Sequence, residues 1–338
     1  MQRNINGFLP DGSVTDVKLS TALRQSLRQK NYFKNPNFAV IQGTAFGTVA
    51  GTLPNSLAVP TASTGYSGET EWGIAAAGGT PTYAFSQLNE NVTFTGAAGV
   101  TAIHLLQRLE AVDTNKLKSK TVAFSVDISN SLLTSVTWEL FNPTTTDDTH
   151  GTIATPTQTL ISSGTFTVNS TLTRYSATIA LPTGVSRGLE VRLRVGAQTS
   201  GTWVVSRLQL EENAISTNFS CDDFTIELKK CQRYFQSTGS SFIGRTVGTT
   251  LIELSVPYVE RMRASPVIGS ISGAVFAARY QGGDLSITNP VTQNTSGSTI
   301  GLWTQIVTAA LVAGEAVTSR NNTATSVTDF FALSAHIS

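Results

Sequence analysis

Charge is scarce in this chain. Charged side chains make up 13% of its 338 residues, and 23 Lys and Arg against 22 Asp and Glu leave a net charge of +1. An average soluble domain carries about 25% charged residues. So small a net charge gives no field to gather nucleic acid or an acidic membrane surface, and no basic cluster is interleaved with aromatics. Nucleic acid is therefore not an expected partner. The longest apolar run near the end, Ile306–Gly314, is too short to span a bilayer, so no membrane insertion is expected. The opening MQRNINGFLPDGS lacks the apolar core of a signal peptide, which implies synthesis in a cytosol.

Residues that carry chemistry are also few. There are two cysteines, Cys221 and Cys231. On a helix they would lie about 15 Å apart at about 1.5 Å per residue, too far for a disulfide. Two free thiols are expected, with Cys231 a small apolar core residue. The three histidines share no metal-ligand spacing, and no CxxC or HxxxH is present. His104 stands in the apolar run TAIHLL and reads as a packed strand residue. His150 ends the polar turn TTTDDTH and is expected to face water. His336 reads as an ordinary strand position. There is no GxSxG elbow, HExxH, Walker loop or dinucleotide fingerprint. The carboxylate pairs Asp147/Asp148, Glu211/Glu212 and Asp222/Asp223 are sequence neighbours, which rarely face each other across a groove as glycoside hydrolysis requires. The expectation is no catalytic residue, no metal, no cofactor and no enzyme activity.

What the chain does have is Thr, Ser, Asn and 28 Gly beside 40% hydrophobic residues, a balance that favours strands and turns over disorder. Alternation marks several strands. Val122, Phe124, Val126 and Ile128 point one way, as do Val136, Trp138 and Leu140, and as do Tyr175, Ala177, Ile179 and Leu181. Leu189, Val191, Leu193 and Val195 form another set, with Glu190, Arg192 and Arg194 expected to face out. Short strands are also expected at Phe38–Gln42 and Tyr83–Gln87. The pattern predicts an antiparallel sandwich.

Trp203–Gln236 changes character twice. Trp203–Leu210 is strand-like. In Asp222–Phe235, Phe224, Leu228, Cys231 and Phe235 recur at helical spacing and share one face. Asp222 and Asp223 stand where a helix start favours negative charge, and Lys229, Lys230 and Arg233 where its end favours positive. A second helix is expected from about Asp16 to Lys30, with an apolar stripe of Leu19, Ala22, Leu23 and Leu27. So short a helix must dock, either on its own domain or against its copies in an oligomer. After the small-residue stretch Ser237–Ser241, further strands are expected at Thr250–Val256, Val267–Ile271, Ala274–Tyr280, Gly301–Val307 and Thr328–His336, with a turn at Gly282–Asp284.

The run QLEENAISTNF (Gln209–Phe219) followed by ELKKCQRYFQ (Glu227–Gln236) resembles a signature of tailed-bacteriophage tail-fibre and receptor-binding tail proteins. LSVPYVERMRASPVIG (Leu254–Gly269) and the closing DFFALSAHIS match in the same order, and QRLEAVDTNKLKSKTVAFSVDIS (Gln107–Ser129) resembles the family's jelly-roll strands. The resemblance implies a mainly β, trimeric protein. It would have an N-terminal virion-attachment arm and amphipathic helix (1–34), a β jelly-roll domain like that of carbohydrate-binding modules (35–221), a connecting helix (222–236) and a small C-terminal β-sandwich tip (237–338). The implied partners are two further copies, other virion tail or baseplate proteins, and a host cell-surface glycan or protein; the implied location is the virion tail. Leu19, Ala22, Leu23 and Leu27 would then serve oligomerisation. Tyr280, Gln281, Asp284, Asn294, Trp303, Arg320 and Asn321 are the candidate receptor-binding residues, because they combine aromatic faces with planar polar groups in a loop-rich stretch. The alternatives are a tailspike-like glycan depolymerase, or a purely structural baseplate or decoration adaptor.

Overall fold

The computed structural model of the chain describes residues 30–42, 48–53, 55–60, 66–67, 70–238, 243–264, 266–270, 276–280, 283–292, 300–307, 311–321 and 331–337. The expected helix at 16–30 with its Leu19, Ala22, Leu23 and Leu27 stripe, as well as Gln281 and Asn294, lies outside them.

Among the described residues, the body is built from β1 (Thr48–Thr52), β2 (Tyr66–Ser67), β3 (Trp72–Ala77), β4 (Thr82–Ser86), β5 (Asn91–Thr95), β6 (Ala102–Leu109), β7 (Thr121–Asn130), β8 (Ser135–Pro143), β9 (Gln158–Thr167), β10 (Thr173–Ala180), β11 (Leu189–Val195) and β12 (Thr202–Glu211). They form two antiparallel sheets, ordered β1-β4-β5-β12-β7-β10 and β2-β3-β6-β11-β8-β9. From β5 onward nearly every connection crosses from one sheet to the other, the jelly-roll pattern. The mainly β class and the antiparallel sandwich stand as expected.

The core explains the alternation. Val122, Phe124, Val126 and Ile128 of β7 are fully buried, as are Val136, Leu140 and Leu189. Trp203 stacks on Phe94 with ring centroids 4.9 Å apart, and Phe33 and Phe38 each lie 5.4 Å from Trp72. Burying such rings gives roughly 2–3 kcal/mol apiece.

Segment 30–42 belongs to this core by contact but is not a strand, contrary to the reading of Phe38–Gln42. It is held by side chains. The Asn31 amide donates to Leu208 O (2.9 Å) and Ser220 O (3.1 Å), while its oxygen accepts from Leu210 N (3.1 Å). Asn35 takes a left-handed φ of 48° and donates to Val40 O (2.7 Å) and Thr70 O (3.0 Å), turning the chain.

The helix spans Phe224–Gln232, shorter than Asp222–Phe235. Its predicted apolar face is also corrected. Phe224 is 54% exposed, while Glu227 and Cys231 face inward. Glu227 is buried because it accepts from Asn35 N (2.9 Å) and Lys230 Nζ (2.7 Å). Asp223 occupies the cap position without a side-chain cap bond, and Asp222 instead pairs with Lys230 at 2.5 Å. Phe235 has left the helix and starts the next strand.

Beyond the helix, β13 (Phe235–Thr238), β14 (Ile243–Thr246), β15 (Leu251–Pro257), β16 (Val267–Ser270), β17 (Phe276–Tyr280), β18 (Gly283–Thr292), β19 (Ile300–Val307), β20 (Ala316–Asn321) and β21 (Phe331–Ser334) follow. The stretch read as a linker at Ser237–Ser241 begins as part of β13, which pairs with β21. A three-stranded sheet runs β13-β21-β16, and β14-β15-β19-β18-β17-β20 close into a barrel where two facing sheets were expected. Closure removes the free edges that six short strands would otherwise expose.

Candidate functional site

Strands and loops that are far apart in sequence meet where the sandwich, the helix and the last residues come together. Arg108 of β6 donates from Nη1 to Ile337 O (2.9 Å), from Nη2 to Gly151 O (2.6 Å) and from Nε to Glu190 (2.8 Å). Tyr66 donates to the same Ile337 carbonyl (2.8 Å) and stacks on His336 with centroids 4.2 Å apart. His336 lies 3.5 Å from the Glu71 carboxylate. Arg263 donates to Ala335 O (3.0 Å) and His336 O (3.1 Å). Arg233 grips Glu110 with two hydrogen bonds of 3.1 and 2.9 Å. Ala335 N donates to Tyr234 O at 2.7 Å.

Four of the sequence runs singled out above contribute to this junction. Arg108 and Glu110 come from Gln107–Ser129, Arg233 and Tyr234 from the CQRYF run, Arg263 from Leu254–Gly269, and Ala335–Ile337 from the end. These residues bind distant segments together. The enclosed space left among Lys34, Tyr66, Glu71, Arg108 and His336 is about 10 Å³, no larger than a water site and with no room for a substrate.

The electrostatics follow from burial. Burial alone would raise the Glu190 carboxyl, but the guanidinium groups of Arg108 and Arg192 outweigh it and bring the pKa down to about 2. Burial raises Tyr66 to about 12. Burial also raises Glu71, against the opposing pull of His336. This corrects the outward placement of Glu190 and Arg192, which are 0% and 7% exposed. The outer face of β11 is covered because Arg192 spans Glu190 (2.5 Å) and the ring of Phe141 (4.5 Å). His150 is likewise 0% exposed, not in water. Its Nδ1 lies 2.9 Å from Gln158, and burial lowers its pKa to about 4. His104 is a packed strand residue as expected, lowered to about 3 by burial and by Arg192 and Arg194.

The barrel is tied to this junction at one end. β14 begins just after β13, and Pro257 ends β15 next to Tyr258 and Val259, whose N–H donates to Gln236 (2.8 Å). Strand directions then place the other residues. Tyr280 pairs with Gly283, and Arg279 with Asp284, at the rim away from the junction. The turns 247–250 and 312–315 lie at that same rim, where Gly314 N donates to Thr246 O (2.8 Å). Arg320 and Asn321 pair with Ala277 and Phe276, at the opposite end of β17. That end is about 13 Å away at about 3.3 Å per residue. Trp303 lies mid-strand, opposite Leu254 and Thr292. The structure thus puts Tyr280 and Asp284 at one end of the same hairpin, at positions of opposite facing, and separates them from Arg320 and Asn321.

A groove of about 820 Å³ opens along the sandwich edge, between Thr144, Leu160, Ile161, Pro182 and Arg187. Sequence reasoning missed it, because β8, β9 and β10 meet only in the fold. No aromatic ring lines it among the described residues, so it offers a sugar no stacking face. Neither does this set contain a His, Cys, Asp and Glu cluster able to hold a metal ion.

No family model matches the sequence, and no curated protein matches it. Solved structures similar to it include a putative sugar binding protein from Bacteroides thetaiotaomicron (11% identity over 54% of this chain and all of that one, TM-score 0.32). Another is a family 11 carbohydrate-binding module from Clostridium thermocellum in complex with a β-1,3-1,4-mixed-linked tetrasaccharide (13% identity, 51% of this chain and 99% of that one, TM-score 0.28). A third is the enzymatically active domain of bacteriophage CBA120 tailspike protein 4 (12% identity, 54% of this chain but 21% of that one, TM-score 0.28). The likeness is a loose one of sandwich architecture.

Proposed function

We propose that this chain is a non-enzymatic receptor-binding protein of a bacteriophage tail, working as a homotrimer and recognising a host cell-surface glycan. Its N-terminal residues 1–34 hold it to other tail or baseplate proteins, and it is made in the host cytosol and resides in the virion. The observation that supports this reading is the barrel's single-ended attachment. One rim is joined to a densely hydrogen-bonded junction, and the other carries the Tyr280/Asp284 hairpin away from it. Tyr280 and Asp284 end the hairpin's paired strands, and aromatic rings and carboxylates are residue types that bind sugars, by stacking on a C–H face and accepting from hydroxyls.

The test is a glycan array probed with the intact chain, alongside Tyr280→Ala and Asp284→Ala. Binding lost in both variants supports the reading. Undiminished binding in both removes the far rim from it. New reducing ends released from host polysaccharide would favour the depolymerase alternative, and no binding to intact host cells at micromolar concentration would favour the structural adaptor.

A further inference from the structure

A second cleft lies on the body, beside the junction. Segment 30–34, the short helix Ala111–Thr114 and the helix Phe224–Gln232 enclose a cleft of about 400 Å³ floored by Tyr32 and Tyr234. That size suits one or two sugar rings. Most charges around it already have partners. Arg233 is bonded to Glu110 (2.9 Å), Lys230 to Asp222 (2.5 Å) and Glu227 (2.7 Å), and Glu212, beside Tyr32, to Lys120 (3.1 Å).

Three ammonium groups are served less well. Lys34 is 7% exposed; its Nζ makes no hydrogen bond, lies 3.8 Å from Asp113 and rests 4.3 Å from the Tyr234 ring centre. Lys30 and Lys116 converge on the Tyr32 ring, at 5.0 and 5.2 Å from its centre, and neither forms an ion pair among the described residues. Burial lowers the pKa of Lys30, and the adjacent Lys116 lowers it further, which is a repulsion that a bound anion would relieve. At the rim Val112 is 72% exposed and offers an apolar contact.

We propose that this cleft binds a saccharide bearing a carboxylate or phosphate group, with the anion bridging Lys30 and Lys116 above Tyr32. The buried Lys34 adds positive potential from beneath without touching the ligand. The ring of the saccharide lies toward Val112. An acidic sugar fits better than a neutral one because the Tyr32 face is already occupied by cations, leaving charge rather than stacking as the means of recognition.

The test uses the full chain and calorimetric titration with a glucuronate disaccharide, its neutral glucose counterpart and inorganic phosphate. The acidic disaccharide is expected to bind, and the neutral one at least about tenfold more weakly. Lys30→Ala/Lys116→Ala, both exposed positions, is expected to lose the difference and keep the melting temperature. Tyr280→Ala in the barrel is expected to leave it unchanged, so this site stands or falls apart from the far-rim reading. Equal affinity for acidic and neutral sugars, or undiminished binding by the double variant, overturns the proposal. Phosphate binding as tightly as the disaccharide overturns the saccharide assignment.

Discussion

Arg108 and Ile337 are 229 residues apart in sequence and joined by a hydrogen bond of 2.9 Å, from a guanidinium in the sandwich to one of the last backbone carbonyls. The same guanidinium is paired with Glu190, and both side chains are removed from solvent, at 1% and 0% exposure. A single arginine thus ties the interior of the body to the returning chain.

Glu190→Gln is expected to destabilise the protein by about 3–5 kcal/mol, because it leaves Arg108 and Arg192 buried without their nearest carboxylate. Urea unfolding followed by tryptophan fluorescence measures this. A loss below about 1 kcal/mol would show that the network is not maintained in solution.

Acid should weaken the fold in two stages. His150 and His104 have folded pKa values of about 4 and about 3, below the ordinary histidine value of about 6.5. The unfolded chain therefore binds more protons, and stability falls as pH drops from about 6.5. Glu190, held at about 2, contributes stability that is full above its ordinary pKa of about 4.3 and is lost as pH falls toward 2. Each histidine contributes at most about 1.4 kcal/mol per pH unit. The urea midpoint of His104→Leu should depend less steeply on pH between 4 and 6.5 than that of the parent, and identical slopes would contradict this.

The two thiols should react very differently. Cys221 is exposed, while Cys231 is buried on the inner face of the helix and its pKa is raised by burial and by Glu71 and Glu227. Thiol titration of the native chain should show one fast equivalent, and a second only on unfolding. Two fast equivalents would mean that the helix is not seated as described.

Gly164→Val should disrupt the β8–β9 pairing. A Cβ at this position would come within 2.5 Å of the Trp138 ring, which lies directly opposite. The expected cost is about 1–3 kcal/mol, read from the thermal midpoint. An unchanged midpoint would show that Trp138 swings away freely.

Light scattering of the intact chain should give a mass near three times 35.8 kDa. A stable monomer would count against the trimer that the resemblance implies.

The body was legible in the sequence wherever one face of a strand is apolar. β7, β8, β10, β11 and β12 were all marked by alternation, because period-two burial leaves its trace in residue order. Trp138, which the alternation placed on an inward face, is 8% exposed in the core. β9 was missed because its Thr, Ser and Gly pack an edge with little apolar contrast, and the barrel strand β18 because Gly283 and Asp284 suggested a turn.

The residues themselves determined a charge-poor antiparallel sandwich and two cysteines not joined by a disulfide, since strand alternation and helical rise are local quantities. Tertiary structure alone decided that Glu190, Arg192 and His150 are buried, since a polar side chain enters a core only when distant partners arrive to satisfy it. It also decided where runs distant in sequence meet. Arg108, Arg233, Arg263 and His336 come together only once the sandwich, the helix and residues 335–337 are in place, because each meets a carbonyl or carboxylate that a distant segment supplies.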